Sequence, residues 1–187
     1  MDSKTLEKIK VYVKKVSDLS DDKRHDFGHA ERVTRNAMWI LDTLKIGESV
    51  DRNLLQAACY LHDVVVMKRD SRNYFSRFVS HFFEKNLNKK YLGKVLADFD
   101  LPWEEDQIIA EAIINHPNSI PFLVLNKEKD IYSKILQDAD SLDYASSERE
   151  VSFGRGKGII QIYIARKYLS WIRNHMERYL NFPELNK

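Results

Sequence analysis

Apolar residues recur along this chain at intervals of three and four. Leu6, Ile9, Val13 and Val16 form one stripe over residues 4–17, because positions so spaced share a helix face. Ser17 to Asp22 is polar and reads as a loop. The stripe resumes in Val33, Ala37, Ile40, Leu41 and Leu44, with Asp26 placed as N-cap, His29 in the first turn and an end near Gly47. Asp51 is placed to cap a third helix, with Leu54, Leu55, Ala58, Leu61 and His62 on its inner side. Met67 to Asn73 is charged and reads as a loop; 74–86 is a phenylalanine-rich helix and 90–98 a short one. Leu101-Pro102-Trp103-Glu104-Glu105 starts a helix running through Ile108, Ile109, Ala112 and Ile113. Pro117 disfavours helical geometry at His116, which places that histidine at the helix exit. Asn118 to Asn126 reads as a loop, 128–145 as a helix, Phe153 to Gly158 as a flexible basic loop and 159–180 as a final helix. The pattern predicts an all-α, single-domain helical bundle of about seven or eight helices over residues 1–187, with no strand.

Composition supports that reading and narrows the function. Six glycines and four prolines are few, which favours long helices over a turn-rich β fold. A net charge of +2 supplies no global field for nucleic acid or an anionic membrane. One cysteine excludes an internal disulfide and fits a reducing compartment. There is no membrane-spanning apolar run, and Met1-Asp2-Ser3-Lys4 lacks an apolar signal core, so the expected location is cytoplasmic.

The chemistry gathers around Ala57-Ala58-Cys59-Tyr60-Leu61-His62-Asp63-Val64-Val65-Val66. A histidine and a carboxylate inside an apolar run lose water on folding, and burial without partners costs several kcal/mol, so they need a charge or a metal opposite them. His29, His62, Asp63 and Asp140 together offer two imidazoles and two carboxylates. Such a mixed nitrogen and oxygen set suits one divalent ion such as Mn, Fe, Co, Ni, Zn or Mg, with room for water and a substrate oxygen. The bland alternative is a buried polar network in which these groups pair with one another and with Arg32.

Three segments in this order resemble the HD-domain superfamily of metal-dependent phosphohydrolases, most closely its small single-domain bacterial members. They are His25-Asp26-Phe27-Gly28-His29-Ala30-Glu31-Arg32-Val33, Leu61-His62-Asp63-Val64 and Ile135-Leu136-Gln137-Asp138-Ala139-Asp140-Ser141-Leu142-Asp143. The resemblance covers about residues 23–146. It implies that His29, His62, Asp63 and Asp140 are the metal ligands, with Asp140 preferred to Asp138 by the Ala-Asp-x-Leu pattern. Asp138 and Asp143 would orient a ligand, hold water or face solvent. It also implies that His116 lies near a substrate phosphate or a second metal, against the bland reading of a helix-end histidine on the C-terminal dipole.

The implied reaction is cleavage of a phosphomonoester or phosphoanhydride of a small molecule, a nucleotide included, by metal-activated water. Asp63 or a nearby carboxylate would orient that water, His116 or bulk water would protonate the leaving group, and Arg32 would neutralise a carboxylate or a phosphate. Lys68, Arg69 and Arg72 follow the His-Asp pair closely and are candidate contacts to an anionic substrate, with a solvated charged loop as the alternative. His81 is a candidate extra ligand, though Phe78 to Phe83 favour a packed helix face there. Cys59 reads as core, His25 as surface or as backing to a ligand, and His175 as structural. Arg155 and Lys157 lie in a glycine cluster without the spacing of a phosphate loop. Tyr144-Ala145-Ser146-Ser147-Glu148 replaces the small glycine-alanine continuation common in the family, which leaves the substrate open. Two rival readings stand beside the hydrolase: a non-catalytic helical domain that senses nucleotides or docks a partner, and a di-iron oxygenase using His81 and His116. Oligomeric state is open.

Overall fold

Helix caps and apolar stripes place the elements. The structure, a computed structural model, describes residues 1–20, 25–68, 83–117, 119–120, 123–124, 130–154 and 159–185. Within them run α1 (Ser3–Leu19), α2 (Phe27–Leu44), α3 (Arg52–Leu61), α4 (Val64–Lys68), α5 (Glu84–Leu96), α6 (Trp103–Asn115), α7 (Ile131–Asp143), α8 (Ser147–Gly154) and α9 (Ile159–Asn174). Asp2, Asp26, Asp51 and Asp130 cap α1, α2, α3 and α7, each carboxylate accepting one or two of the backbone N–H groups that a helix start leaves without partners. The fold is all-α, as the periodicity predicts.

The helices bury their stripes in one core. α2 packs along α7 on one side and α3 on the other; α1 covers α3, and α6 lies against α3, α5 and α7. Ile9, Val13, Val33, Ala37, Ile40 and Leu41 are fully buried. Burial of each large aliphatic chain among them stabilises the fold by about 1.5–3 kcal/mol. Among the described residues, no helix is long and apolar enough to cross a membrane.

Several boundaries differ from expectation for local reasons. α2 stops at Leu44 rather than near Gly47, because Lys45 takes the left-handed conformation (φ 54°) and turns its N–H back to the Leu41 carbonyl. Met67 and Lys68 belong to α4 and not to a loop, since Val64, Val65 and Met67 are buried and carry the helix past the His-Asp turn. Residues 84–96 make one helix where two pieces were expected; most of the 74–86 segment lies outside the described residues. Ser147–Gly154 is a helix, so Phe153 and Gly154 are helical rather than part of the expected loop, and the final helix ends at Asn174, followed by 3-10 turns at Met176–Arg178 and Pro183–Leu185. Ser119–Ile120 and Leu123–Val124 pair as a minimal antiparallel ladder, too short for any periodicity to announce.

The C-terminal turns are pinned to the core through Asp138, which is completely buried. Its carboxylate accepts the Asn181 backbone N–H at 2.7 Å, the Asn181 side-chain amide at 2.9 Å and the Phe182 N–H at 2.9 Å. Asp138→Ala is therefore expected to destabilise the protein by about 2–3 kcal/mol, the scale of hydrogen bonds to a charged group, while divalent-ion binding persists. Denaturant unfolding and metal calorimetry on the same variant check this; loss of metal binding with normal stability would contradict it.

Candidate metal centre

Four helix termini and one helix face deliver the polar groups to a single point. Asp26 caps α2 by accepting the His29 N–H at 2.8 Å, which fixes His29 in the first turn. Gly28 leaves room for that cap, since a Cβ there would lie 3.3 Å from the Asp26 carboxylate oxygen. His62 and Asp63 occupy the tight turn between α3 and α4, buried by the apolar run around them. Asp140 faces them from α7, and His116 ends α6. Adjacent residues of a helix diverge by about 100°, so only a point between helices can receive both His62 and Asp63.

The convergence is tight. His29 Nε2 lies 3.2 Å from His62 Nε2, 3.3 Å from Asp63 Oδ2 and 3.3 Å from Asp140 Oδ1, and His62 Nε2 is 3.1 Å from Asp63 Oδ2. Two ligand atoms about 2.1 Å from one ion and at right angles stand about 3.0 Å apart, so this spacing fits a shared divalent cation. His62 Nδ1 donates to the Cys59 carbonyl at 2.7 Å, which leaves the Nε2 lone pair directed at the centre. His29 Nδ1 donates to Asp143 Oδ2 at 2.7 Å, setting the same tautomer. Asp63 Oδ2 is buried and makes no hydrogen bond of acceptable geometry despite its two imidazole neighbours. A buried carboxylate oxygen in that position calls for a cation. His29, His62 and Asp140 place donor atoms within 4.8 Å of one another, and Asp63 stands against both imidazoles, so these four are the residues that could hold an ion.

The clustered imidazoles and carboxylates shift one another's protonation. Burial and the Arg149 charge push the His29 imidazole down, but the carboxylates of Asp140, Asp143 and Asp63 beside it outweigh them and raise it to about 10. Burial favours a neutral Asp140, yet the bond to His29 and the charges of His29, His62 and Arg149 lower it to about 2. Asp63 is likewise held well below the usual carboxylate range, its burial outweighed by the charges of His25 and His62 and the closeness of the His29 and His62 rings. His116 is raised to about 9, its burial overcome by Glu84.

The other expected site residues fall into distinct places. Arg32 does not touch any of the four donors: it grips Asp143 through Nε at 2.6 Å and Nη2 at 3.2 Å, so it acts on His29 through that carboxylate. Lys68 leaves the site for α1, bonding the Tyr12 hydroxyl at 3.0 Å. Arg69, Arg72, His81, Arg155 and Lys157 lie outside the described residues. His116 keeps right-handed helical backbone (φ −61°, ψ −33°) despite Pro117, because Nδ1 donates to the Ile113 carbonyl at 2.6 Å and Nε2 reaches Glu84 Oε1 at 3.1 Å. Its ring stands edge-on to His62, 5.1 Å away. Cys59 is fully buried, and burial pushes its thiol up. His25 is buried and lines the cleft beside His29. His175, just past the end of α9, stacks on Trp171.

Periodicity missed Glu84, Tyr144 and Arg149, all of which line the cleft over the donors. Glu84 opens α5 after a segment whose only readable signal is aromatic, and Arg149 sits in a polar stretch, Ser146-Ser147-Glu148-Arg149-Glu150, with no apolar stripe. Nothing local marks either as inward-facing.

Two outcomes follow from these bonds. Asp143→Asn is expected to weaken Mn²⁺ binding by about 10–100-fold, the usual cost of losing the carboxylate behind a ligating histidine; titration calorimetry measures it, and unchanged affinity would refute the assignment. In metal-free protein the cluster's stabilisation depends on pH with a definite sign. The raised His29 contributes stability that is complete below pH 6.5 and lost as pH rises toward about 10, while the lowered Asp140 contributes stability present above pH 3.8 and lost as pH falls toward about 2. Melting temperature in EDTA should therefore decline above pH 6.5, and Mn²⁺ should reverse that decline because it binds the deprotonated imidazole. A flat alkaline profile in EDTA would count against this electrostatic picture.

Comparison with known proteins bears on the same residues. No curated protein and no solved structure matches the chain. The HD domain family matches residues 26–145, well over half of the 187 and spanning His29, His62, Asp63, His116 and Asp140. HD domains bind divalent metals, and on the strength of this match the chain belongs to the HD domain family, within the superfamily of metal-dependent phosphohydrolases.

Proposed function

We propose that the protein is a metal-dependent phosphohydrolase acting on a phosphomonoester or phosphoanhydride bond of a small molecule, nucleotides included. The observation that carries this reading is that His29 Nε2 stands 3.2–3.3 Å from donor atoms of His62, Asp63 and Asp140, both imidazoles having their second nitrogen tied elsewhere. The chemistry a divalent ion supplies, when bound, is Lewis acidity toward a phosphoryl oxygen and toward water. The chain supplies the rest. Asp63 and Asp140 line the cleft with carboxylates held ionised, where they accept hydrogen bonds from a water and aim it in line with the scissile bond. The cleft beside them keeps substrate and water within reach of His116.

His116 serves as the proton donor. Both its nitrogens face acceptors, the Ile113 carbonyl and Glu84, so the ring carries both protons. It gives the Nε2 proton to the departing oxygen, and Glu84 steadies the charge before transfer. His62, Asp63 and His116 also place donor atoms within 4.8 Å of one another, which supports a second ion as an alternative arrangement; elemental analysis giving two metals per chain would favour it.

A panel of phosphorylated small molecules with Mn, Co, Mg and Zn tests the reading. His62→Ala is expected to abolish both metal content and hydrolysis, whereas His116→Gln should retain the metal and lose about 10²–10⁴ in kcat, the range of general acid catalysis. Full hydrolysis by His62→Ala, or none by metal-loaded wild type across the panel, would overturn the proposal.

A further inference from the structure

We propose that the solvent face of α5 binds single-stranded nucleic acid, its phosphates taken by Lys89, Lys90 and Lys94 around the bare backbone at Gly93 and one base stacked on Phe83. Binding at this face is independent of any turnover in the metal cleft.

A net charge of +2 over the whole chain conceals a local excess. α5 carries Lys85, Lys89, Lys90 and Lys94 against one acid, Glu84, which is buried and faces His116 at 3.1 Å. Its exposed residues, Asn86, Lys89, Lys90, Gly93 and Lys94, therefore bring cations and no carboxylate. Among the described residues Lys89, Lys90 and Lys94 make no ion pair. Asp98 and Asp100, the next carboxylates along the chain, are exposed and bond none of them. The Lys90 ammonium rests 5.1 Å from the centre of the Tyr91 ring, which holds a cation without neutralising it.

Gly93 is the part of this face that the fold does not explain. It lies inside the helix, where glycine costs stability relative to alanine. A Cβ there would meet nothing within 4 Å, and no positive φ requires a glycine. Asn86 and Gly93, seven residues apart, share the centre line of the face, with Lys89 on one side and Lys90 and Lys94 on the other. The result is a shallow trough between ammonium groups, in which a row of phosphates comes close to the helix.

Phe83 extends the same side. Its carbonyl accepts the Leu87 N–H at 2.9 Å, which ties it to the helix, and it is 54% exposed. It stands seven residues before Lys90 and eleven before Lys94, so the three fall on one stripe. Exposed aromatic rings beside cations are what bases stack on when single strands are bound without sequence preference. Glu84, next to Phe83, lines the metal cleft, so a polynucleotide lying along α5 has one end there. Other partners fit less well. The centres of protein interfaces are depleted in lysine, and Phe83 apart, α5 offers no exposed large apolar side chain to a protein or a lipid surface.

The test is fluorescence anisotropy of a fluorescein-labelled oligothymidylate titrated with the full chain at several salt concentrations. Three phosphate contacts predict a slope of log affinity against log salt of about −2. Replacing Lys89, Lys90 and Lys94 together by Gln is expected to weaken binding about tenfold or more and to flatten that slope. Phe83→Ala and Gly93→Leu should each weaken it about fivefold or more with the slope unchanged. Gly93→Leu should do so while raising the melting temperature, because leucine is the better helix former. Replacing Lys4, Lys8 and Lys15 of α1 by Gln removes the same charge from another exposed face and should leave affinity within about twofold. Equal losses from the α1 and α5 triple variants would show a generic effect of charge and overturn the proposal. Absence of binding at low salt, or full binding by folded Phe83→Ala and Gly93→Leu, overturns it as well. So does retention on phosphatidylserine vesicles through the same lysines without oligothymidylate binding, or preference for a duplex of equal length. Hydrolysis of a small phosphate ester by a chain that fails these titrations spares the phosphohydrolase reading, and oligothymidylate binding without any hydrolysis spares this one.

Discussion

His29 Nε2 is the atom on which the architecture depends. It stands within 3.3 Å of donors from the α3–α4 turn and from α7, while its other nitrogen is bound by Asp143 one turn along α7. These contacts tie α2 to both of its principal neighbours through polar groups that tolerate little displacement. The apolar stripes bring the helices together; the imidazole sets how far each may slide. A hydrophobic interface accepts small shifts at modest cost, but a buried carboxylate moved away from its partner loses its compensation outright.

The polar cluster is built in layers that each satisfy the next. Arg32 holds Asp143, Asp143 holds His29, and His29 faces the carboxylates of Asp63 and Asp140. On the other side Glu84 holds His116. Acidic groups outnumber guanidinium groups, so the site takes up either protons or a divalent cation. This links stability, metal affinity and pH through one set of atoms, and it explains why strongly shifted groups crowd together here. α8 adds the remaining wall with Arg149.

The legible parts of the fold are those in which a local rule and the tertiary environment agree. Asp26 and Asp51 precede apolar stripes and do cap the helices that follow. The His62-Asp63 turn was readable because two ionisable residues in an apolar run are costly unless something meets them. Disagreements arose where a contact distant in sequence outweighed a local preference. His116 stays helical before a proline because the Ile113 carbonyl and Glu84 hold its ring. Lys45 occupies a left-handed turn usually left to glycine. Arg32 turns from the donors to Asp143, more than a hundred residues away.

By itself the sequence determined the all-α class and most of the helices and singled out His29, His62, Asp63 and Asp140 as candidates, because spacing, caps and the order of three short motifs are local properties of the chain. Tertiary structure alone decided which nitrogen of each histidine faces inward, that Asp143 backs His29, and that Glu84 and Arg149 close the cleft. Those facts depend on contacts between residues far apart in the chain. A charged side chain in a polar segment costs almost the same facing water or facing another helix's charge until that helix has been packed against it, so nothing in its own neighbourhood records which way it turns.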